Sequence, residues 1–388
     1  MPIPSAVQDL VPDAQAWRRE IHQNPELLYD VELTAKYVAE RLSAFGCDEV
    51  QTSIGRTGVV GVIRGAKGGS MRAIGLRADM DALPIEEATN LPYRSRNPGK
   101  MHACGHDGHT AMLLGAARRL AQTRNFAGDA VVIFQPAEEG GGGAKAMIDD
   151  GLMDRFRLEE VYGMHNWPAL PVGSFMLRKG PLMAAADVIT ITLEGRGSHA
   201  AMPHQGVDPV VAGAEIVLAL QTIASRNVDP LDSCVVSVTQ FHAGTADNII
   251  PQSAWLNGTV RTLKPGTRDL VERRIREIVA GLASALGAEA RVEYRRNYPA
   301  TVNHPTQTDF AAAVARKVAG DSRVDTDAVP VMGAEDFSFM LEARPGAFIF
   351  LGNGDSAKLH HPSYDFNDAA LPYGMSYWVE LVETALAP

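Results

Sequence analysis

Three consecutive stretches decide the architecture: "SMRAIGLRAD" at residues 70–79, "HTAMLLGAARRLAQ" at 109–122 and "DAVVIFQPAEEG" at 129–140. The first and third are short β-rich apolar runs, and the second has helical spacing with a small, apolar face. A strand, a helix and a strand in succession are typical of a parallel sheet covered by helices. The same alternation continues outward in both directions. We therefore predict an α/β domain whose mixed sheet is at least partly parallel and is flanked by helices.

The flanking sequence extends this domain on both sides. Towards the amino terminus, "DAQAWRREIHQNPE" predicts a helix with an Asp cap, and "ELTAKYVAERLSAFG" a second helix closed by Gly46. Further strands are predicted at "TGVVGVIRG", at "EEVYGMHNWP" and, near the carboxyl terminus, at "GAFIFLGNG".

The middle of the chain has a different pattern. Four alternating strands and two long helices indicate a split βαβ, ferredoxin-like α+β module. We predict one domain of residues 1–183 and 299–388, interrupted by a second domain of residues 184–298.

Composition excludes several classes of protein. The 388 residues carry 36 basic and 46 acidic side chains, a formal charge of −10, so no nucleic-acid partner is expected. No apolar run approaches the roughly 18 residues of a membrane span, and the first residues do not have the pattern of a secretory signal. A cytoplasmic protein without a membrane partner is therefore expected. Three separated cysteines make a disulfide framework improbable, and Cys47 and Cys234 are interpreted as core residues.

Polar side chains fall where the predicted strands end. Asp79 follows "MRAIGL", Glu138 and Glu139 follow "AVVIFQPA", His165 follows "VYGM", and His360 lies beyond "AFIFLGNG". The segment from Cys104 to His106 precedes a helix at the same predicted edge. Ligands of open α/β sheets bind at the carboxyl ends of the strands, so we expect a functional site there.

The residue types at this edge indicate metal-assisted hydrolysis. A cysteine, two histidines and a carboxylate suit zinc or a similar divalent ion, and five or more such groups would hold two ions. Cys104 and His106 can point the same way only from a loop or strand end. Glu138 and Glu139 in extended backbone would point in opposite directions, so that one binds metal while the other faces the reacting water. A bound ion acidifies water, and a positioned carboxylate removes its proton.

Each candidate also has a simpler interpretation. His102, His109 and His204 are individually typical of loop or cap residues, and His22 of a helix-end packing residue. Cys104 alone could be a buried thiol or a nucleophile, and chemistry does not separate His360 from His361. A zinc deaminase is disfavoured because no P-C-x-x-C occurs, and Gly140–Gly143 is not a phosphate loop because G-K-[ST] is absent.

Seven blocks together carry a resemblance to a known family: "LRADMDALPI", "MHACGHDGHTAMLLG", "FQPAEEGGGGA", "MHNWP", "GRGSHAAMPHQGVDP", "MGAEDFS" and "LHHPSYDFND". In order and over essentially the whole chain, they resemble the dinuclear-metal aminoacylase and carboxypeptidase family. The nearest subfamily is that of hippurate hydrolases and auxin-conjugate amidohydrolases. The fold implied is zinc-peptidase-like, with the inserted domain serving as a lid and dimerisation domain.

The resemblance also implies residue roles. Ligands to two divalent ions are implied at Cys104, His106, Glu139, His165 and His360, the general base at Glu138, and an orienting residue at Asp79. Arg77 stands where the wider family has histidine, and the spacing of leucine and proline around the last motif selects His360 over His361.

In the inserted domain, the resemblance assigns His199 to the oxyanion, reaching it from the partner subunit in related dimers. It also places Asn248 and Arg261 near the substrate. The implied substrate is an N-acyl amino acid, and a dipeptidase or aminopeptidase using the same site is the alternative. Zinc, manganese, cobalt or nickel, and a homodimer or homotetramer, are the expected cofactor and assembly. A cysteine hydrolase and a non-catalytic relative are further alternatives.

Overall fold

The computed structural model describes residues 5–388; residues 1–4, with which the predicted first domain begins, lie outside them. Contacts divide the chain into two units, the first of residues 5–182, 302–329 and 336–388 and the second of residues 183–301 and 330–335. Residues 183, 299–301 and 330–335 were predicted in the first domain, but their contacts lie in the second unit. There the amide of Ala184 donates to the carbonyl of Gly333 (2.8 Å).

The elements fall largely where apolar periodicity predicts them. The helices are α1 (Ser5–Gln8), α2 (Val11–Gln23), α3 (Glu32–Phe45), α4 (His106–Thr123), α5 (Gly143–Asp149), α6 (Leu152–Arg155), α7 (Pro209–Thr222), α8 (Pro265–Ala285), α9 (Pro305–Ala319), α10 (Phe337–Ala343) and α11 (Leu371–Ala385). The strands are β1 (Glu49–Ile54), β2 (Gly58–Arg64), β3 (Ala73–Asp79), β4 (Asp129–Gln135), β5 (Leu158–Pro168), β6 (Phe175–Met176), β7 (Gly180–Met183), β8 (Ala185–Glu194), β9 (Ser198–His199), β10 (Cys234–Ala243), β11 (Ile249–Ile250), β12 (Ser253–Thr262), β13 (Glu289–Tyr298), β14 (Thr301–Asn303), β15 (Val324–Asp325) and β16 (Gly346–Gly354).

The first unit is built on an eight-stranded mixed sheet of order β1-β2-β4-β3-β5-β16-β6-β15. Its centre, β4-β3-β5-β16, is parallel, and Asp79 at the end of β3 pairs with Gln135 at the end of β4. The chain passes from β3 to β4 on one side and then returns to β5 on the other. In open α/β sheets, ligands bind at such a switch point, here beyond the carboxyl ends of β3 and β5.

Helix α4 lies in the middle of the layers of this unit. It packs on β3 and is contacted by α2, α3 and α11. The helix is therefore buried around nearly its whole circumference, and its residues from Ala111 to Ala117 are small or apolar. The amino end of α4 is consequently held between the sheet and the outer helices.

Of the two helix ends predicted from capping residues, one is confirmed and one is wrong. Gly46 ends α3 in the left-handed conformation (φ +82°), as predicted. The predicted Asp cap of α2 is wrong, because the helix begins earlier, at Val11, and Asp13 lies in its first turn. An acidic side chain there still interacts favourably with the helix dipole.

The second unit contains a four-stranded antiparallel sheet of order β10-β12-β8-β13. Helices α7 and α8 cover it, with Leu193, Leu220 and Ile275 among the buried residues between the layers. Asp208 caps α7 by accepting from the amide of Val210 (2.8 Å). The order and connections confirm the predicted ferredoxin-like module. Among residues 5–388, no helix combines the length and apolar character that a bilayer span requires.

Candidate metal centre

The turn from residue 104 to 106 depends on a glycine. Gly105 has φ +90° and immediately precedes α4, so Cys104 lies in the turn and His106 is the first residue of the helix. A Cβ atom on Gly105 would lie 2.3 Å from Nδ2 of Asn166. The close approach and the left-handed backbone together require glycine. The side chain of His106 lies beside Asp79 at the end of β3, and that of Cys104 beside His165 in β5.

The two glutamates lie in a turn after β4 and not in extended backbone. Ala137 has φ +54°, and the amides of Glu138 and Glu139 donate to Oδ1 and Oδ2 of Asp81 (3.0 and 3.1 Å). The extended backbone assumed for the two glutamates is therefore wrong. One ligand atom from each, and one from His106, lie within 4.8 Å of one another.

The structure brings all five predicted ligands together in the first unit. Sγ of Cys104 lies 3.3 Å from Nε2 of His165, and Oε1 of Glu139 lies 3.4 Å from Nε2 of His360 and 3.9 Å from Nε2 of His106. They form two overlapping groups, each with its donor atoms within 4.8 Å: Cys104, His106 and His165, and Cys104, Glu139 and His360. These residues are the ones that would hold two divalent ions.

The donor atoms fit divalent ions on geometric grounds. Two ligand atoms of a tetrahedral zinc ion are about 3.3–3.8 Å apart, close to the distances found here. Nε2 of His106 and Oε1 of Glu139 are buried and have no hydrogen-bond partner within residues 5–388. The other ring nitrogens are occupied, because Nδ1 of His106 donates to the carbonyl of Asp81 (2.7 Å) and Nδ1 of His165 to that of Asn166 (2.6 Å). This arrangement leaves each Nε2 available for a metal.

The neighbouring histidine is used differently. Nδ1 of His361 accepts from the amide of Ser363 (3.1 Å), whereas His360, in the left-handed conformation (φ +63°), approaches Glu139. A non-glycine residue in this conformation is uncommon and is frequent at functional sites. The geometry therefore favours His360, as the family resemblance does.

Electrostatics disfavour Cys104 as a nucleophile. Burial, and the charges of Glu139 and Glu138, raise the pKa of the Cys104 thiol well above its usual value. A reactive cysteine needs the opposite, a lowered pKa. Burial lowers the pKa of His165 well below its usual value, so its imidazole is neutral, the form that binds metals.

Asp79 is held in a buried network. Its Oδ1 accepts from Nδ1 of His109 (2.6 Å), whose Nε2 accepts from the amide of Asn166 (2.9 Å), and its Oδ2 accepts from Nη1 of Arg77 (2.7 Å). Burial raises the pKa of Asp79, but the charges of His106 and Arg77 outweigh it and hold that pKa well below its usual value. His109 lies within α4 and not in a loop, and it acts as structural support for the site by orienting Asp79.

Two further residues of the site were missed from the sequence. Asp81 fixes the amides of both glutamates, and Nδ2 of Asn166 donates to the carbonyl of Cys104 (2.6 Å). Oδ1 of Asn166 in turn accepts from the buried hydroxyl of Tyr364 (2.7 Å). Both residues are polar and lie near strand ends, the same signal that indicated Asp79 and His165.

The remaining predicted residues belong to the second unit. His199 is exposed in β9, and its Nδ1 accepts from the amide of Ala201 (3.1 Å). Asn248 is exposed, and its carbonyl accepts from the amide of Ala200 (3.0 Å). Arg261 is half-buried in β12, and Nη1 donates to the carbonyl of Val260 (3.0 Å). Their roles towards the oxyanion and the substrate stay predictions.

Donor atoms of cysteine, histidine and carboxylate side chains lie together beyond the carboxyl ends of parallel strands, beside the buried carboxylate of Glu138. This arrangement defines a metal-dependent hydrolase. The chain belongs to the peptidase family M20/M25/M40, whose model matches residues 75–384. This finding confirms the resemblance carried by the sequence blocks.

Individual relatives agree with this assignment. The chain is 46% identical over 375 residues to the hippurate hydrolase of Campylobacter jejuni, covering 97% of each chain. It is 39% identical over 375 residues to the IAA-amino acid hydrolase ILR1-like 5 of Arabidopsis thaliana, covering 94% of this chain and 84% of that one. The crystal structure of the Bacillus subtilis YXEP protein, described as a dinuclear metal binding peptidase of the M20 family, is similar with a TM-score of 0.86 at 34% identity, covering 98% and 99% of the two chains.

Proposed function

We propose that the protein hydrolyses the amide bond of N-acyl amino acids, releasing a carboxylic acid and an amino acid. The observation that carries the proposal is the convergence of the donor atoms of Cys104, His106, Glu139, His165 and His360 beside Glu138. The names of the relatives support the substrate class, since both the hippurate hydrolase and the IAA-amino acid hydrolase act on such conjugates.

The five donor residues would hold two divalent ions. Zinc suits the cysteine ligand, and manganese, cobalt and nickel are the other candidates. When bound, the ions would polarise the amide carbonyl and lower the pKa of a water molecule.

Glu138 is proposed as the general base. It is 7% exposed, and the bond from its amide to Asp81 fixes its backbone beside the ligands. Its carboxylate would take the proton from the attacking water and deliver it to the leaving amine. In the second unit, His199 is proposed to stabilise the oxyanion, and Asn248 and Arg261 to contact the substrate, Arg261 at the free carboxylate.

The two glutamates provide the test of this division of roles. We expect Glu138→Gln to retain two ions per chain while kcat falls by about 10²- to 10⁴-fold, because only the proton transfer is lost. Glu139→Gln should instead lose bound metal, because Oε1 lies among the ligand atoms. Metal content by mass spectrometry and steady-state kinetics measure the two effects separately. A Glu138→Gln enzyme with two ions and near-wild-type kcat would disprove the base assignment.

A substrate panel tests the reaction itself. Hippurate, N-acetyl and indoleacetyl amino acids should be cleaved with higher kcat/KM than dipeptides, each assayed with zinc, manganese, cobalt or nickel added. Preference for dipeptides would identify a dipeptidase or aminopeptidase instead. A chelator should abolish activity and added metal restore it, whereas a cysteine hydrolase would resist the chelator and be inactivated by thiol alkylation.

We further propose a homodimer or homotetramer assembled through the second unit. Helix α7 exposes Val211 (52%) and Leu218 (67%), and β10 is an edge strand of its sheet with Phe241 exposed (39%). Exposed apolar groups beside an open strand edge favour association. Light scattering of the purified protein measures the mass. The cytoplasmic location expected from the sequence stays a prediction.

A further inference from the structure

A buried arginine lies beside the amino end of α4. Arg18, on α2, has no exposed surface, and three carboxylates surround it. Its Nη1 lies 3.3 Å from Oδ2 of Asp107 and 3.3 Å from Oδ1 of Asp365, and its Nε lies 2.7 Å from Oδ1 of Asp368. One guanidinium group therefore connects three segments of the chain: its own helix α2, the start of α4, and residues 365–368.

Two of those segments carry predicted metal ligands. Asp107 directly follows His106 at the start of α4, and Asp365 lies five residues after His360. The hydroxyl of Tyr93 donates to Oδ2 of Asp365 (2.9 Å), and the guanidinium carbon of Arg18 lies 4.5 Å from the centre of the Tyr93 ring. Nδ1 of His22 lies 2.8 Å from Oδ2 of Asp107. The two ligand-bearing segments are thus fixed to the same group although they are distant in sequence.

The contact is of a kind that fixes geometry. A buried guanidinium without partners is very unfavourable, so each carboxylate must stay in place to compensate its charge. The planar guanidinium also restricts the directions from which oxygens approach. A backbone bond from the amide of His360 to the carbonyl of Ala103 (2.8 Å) fixes the first residue of the 360–368 segment. Arg18 fixes its other end, through Asp365 and Asp368.

We propose that Arg18 is a positioning residue for the metal centre: its guanidinium holds the segment carrying His360 in register with the helix end carrying His106. Arg18, Asp107, Asp365 and Asp368 are called the Arg18 clamp. The proposal rests on the proposed dinuclear site. Arg18 lies before residue 75, where the match to the family begins, so the match itself gives Arg18 no role.

Variants at Arg18 separate positioning from ordinary stabilisation. The matched control is Arg118→Gln, because Arg118 on α4 pairs with Asp13 on α2, joining the same two helices near solvent (30% and 53% exposed). The affinity of the metal-free protein for each zinc ion is measured by competition with a chelator. The absorption spectrum of the cobalt-loaded protein reports the geometry of the thiolate and imidazole ligands. Urea unfolding measures stability independently.

We expect Arg18→Gln to bind one of the two zinc ions at least about tenfold more weakly than wild type, the scale seen when a residue that orients metal ligands is removed. The cobalt spectrum should change as well. Arg18→Lys should recover part of the affinity, because the charge returns without the planar fork. Arg118→Gln should keep both affinities. Asp365→Asn should lower the affinity for the same zinc ion. The double variant Arg18→Gln/Asp365→Asn should have an affinity only slightly below that of Arg18→Gln, because both changes break the same contact.

Opposite results would overturn the clamp. If Arg18→Gln or Arg18→Lys lost stability yet bound both ions with wild-type affinity and spectrum, Arg18 would stabilise the fold only. If Arg18→Gln did not fold, unchanged metal affinity in both Arg18→Lys and Asp365→Asn would refute the proposal. If the wild-type protein bound no divalent ion, the proposed function and the clamp would both be wrong, which distinguishes that failure from a failure of the clamp alone.

Discussion

Replacing Gly105 with alanine should destabilise both the fold and the metal centre. At φ +90°, any residue with a Cβ costs about 1–2 kcal/mol relative to glycine. The added methyl would lie 2.3 Å from Nδ2 of Asn166 and 2.6 Å from the hydroxyl of Tyr364, two groups that belong to one hydrogen-bonded network. Displacing them adds about 1–3 kcal/mol. The expected loss in the free energy of unfolding is therefore about 2–5 kcal/mol.

Gly46→Ala is the matched control for this substitution. Gly46 has a similar φ of +82°, but apart from its chain neighbours no atom of residues 5–388 lies within 4 Å of its added Cβ, so only the conformational cost applies. Urea unfolding of the metal-free proteins measures both losses, and zinc titration measures the centre. Because Gly105 separates Cys104 from His106, Gly105→Ala should also weaken zinc binding, whereas Gly46→Ala should not. Equal losses of stability in the two variants, with equal zinc affinity, would refute the argument from close packing.

Three further outcomes can be measured directly. Burial lowers the pKa of His22, but Asp107 and Glu87 outweigh it and raise that pKa from 6.5 to about 9. Protonated His22 therefore stabilises the folded state; this contribution is complete below pH 6.5 and is lost as the pH rises through 9. It amounts to at most about 3 kcal/mol, and His22→Gln should flatten the pH dependence of unfolding over that range; an unchanged slope would contradict the ion pair. Cys104→Ser should bind zinc more weakly in chelator competition, because a hard hydroxyl replaces a thiolate, and retention of full affinity would exclude Cys104 as a ligand. Arg77→Met should reduce the free energy of unfolding by about 3–5 kcal/mol, because Asp79 and Asp336 would lose a buried cation, and a loss below about 1 kcal/mol in urea unfolding would show that the network contributes little.

Much of the fold could be predicted because local sequence carries it. Continuous apolar runs such as β3 and β4 are buried strands, and the small apolar face of α4 fits a helix between layers. The site residues were predicted for a related reason: they follow strands whose carboxyl ends meet at one edge. The backbone around them was not predictable. The turn that carries Glu138 and Glu139 depends on the carboxylate of Asp81. The positive φ within it occurs at Ala137, and an alanine does not predict that conformation as a glycine would.

The sequence by itself determined the alternation of elements, the inserted ferredoxin-like module and the chemical types of the candidate ligands, because these depend on periodicity and on side chains at strand ends. The family followed from the resemblance of seven sequence blocks, and the matching family model confirmed it. Only the tertiary structure decided which polar residues support those ligands. The sequence indicated structural support for His109 and helix-end packing for His22, but it did not show their partners, which are Asp79 for His109 and Asp107 for His22. Arg18 offered no sequence signal at all. A buried charge is stable only beside partners that folding brings to it from distant segments, so its role is fixed by three-dimensional neighbours and not by spacing along the chain.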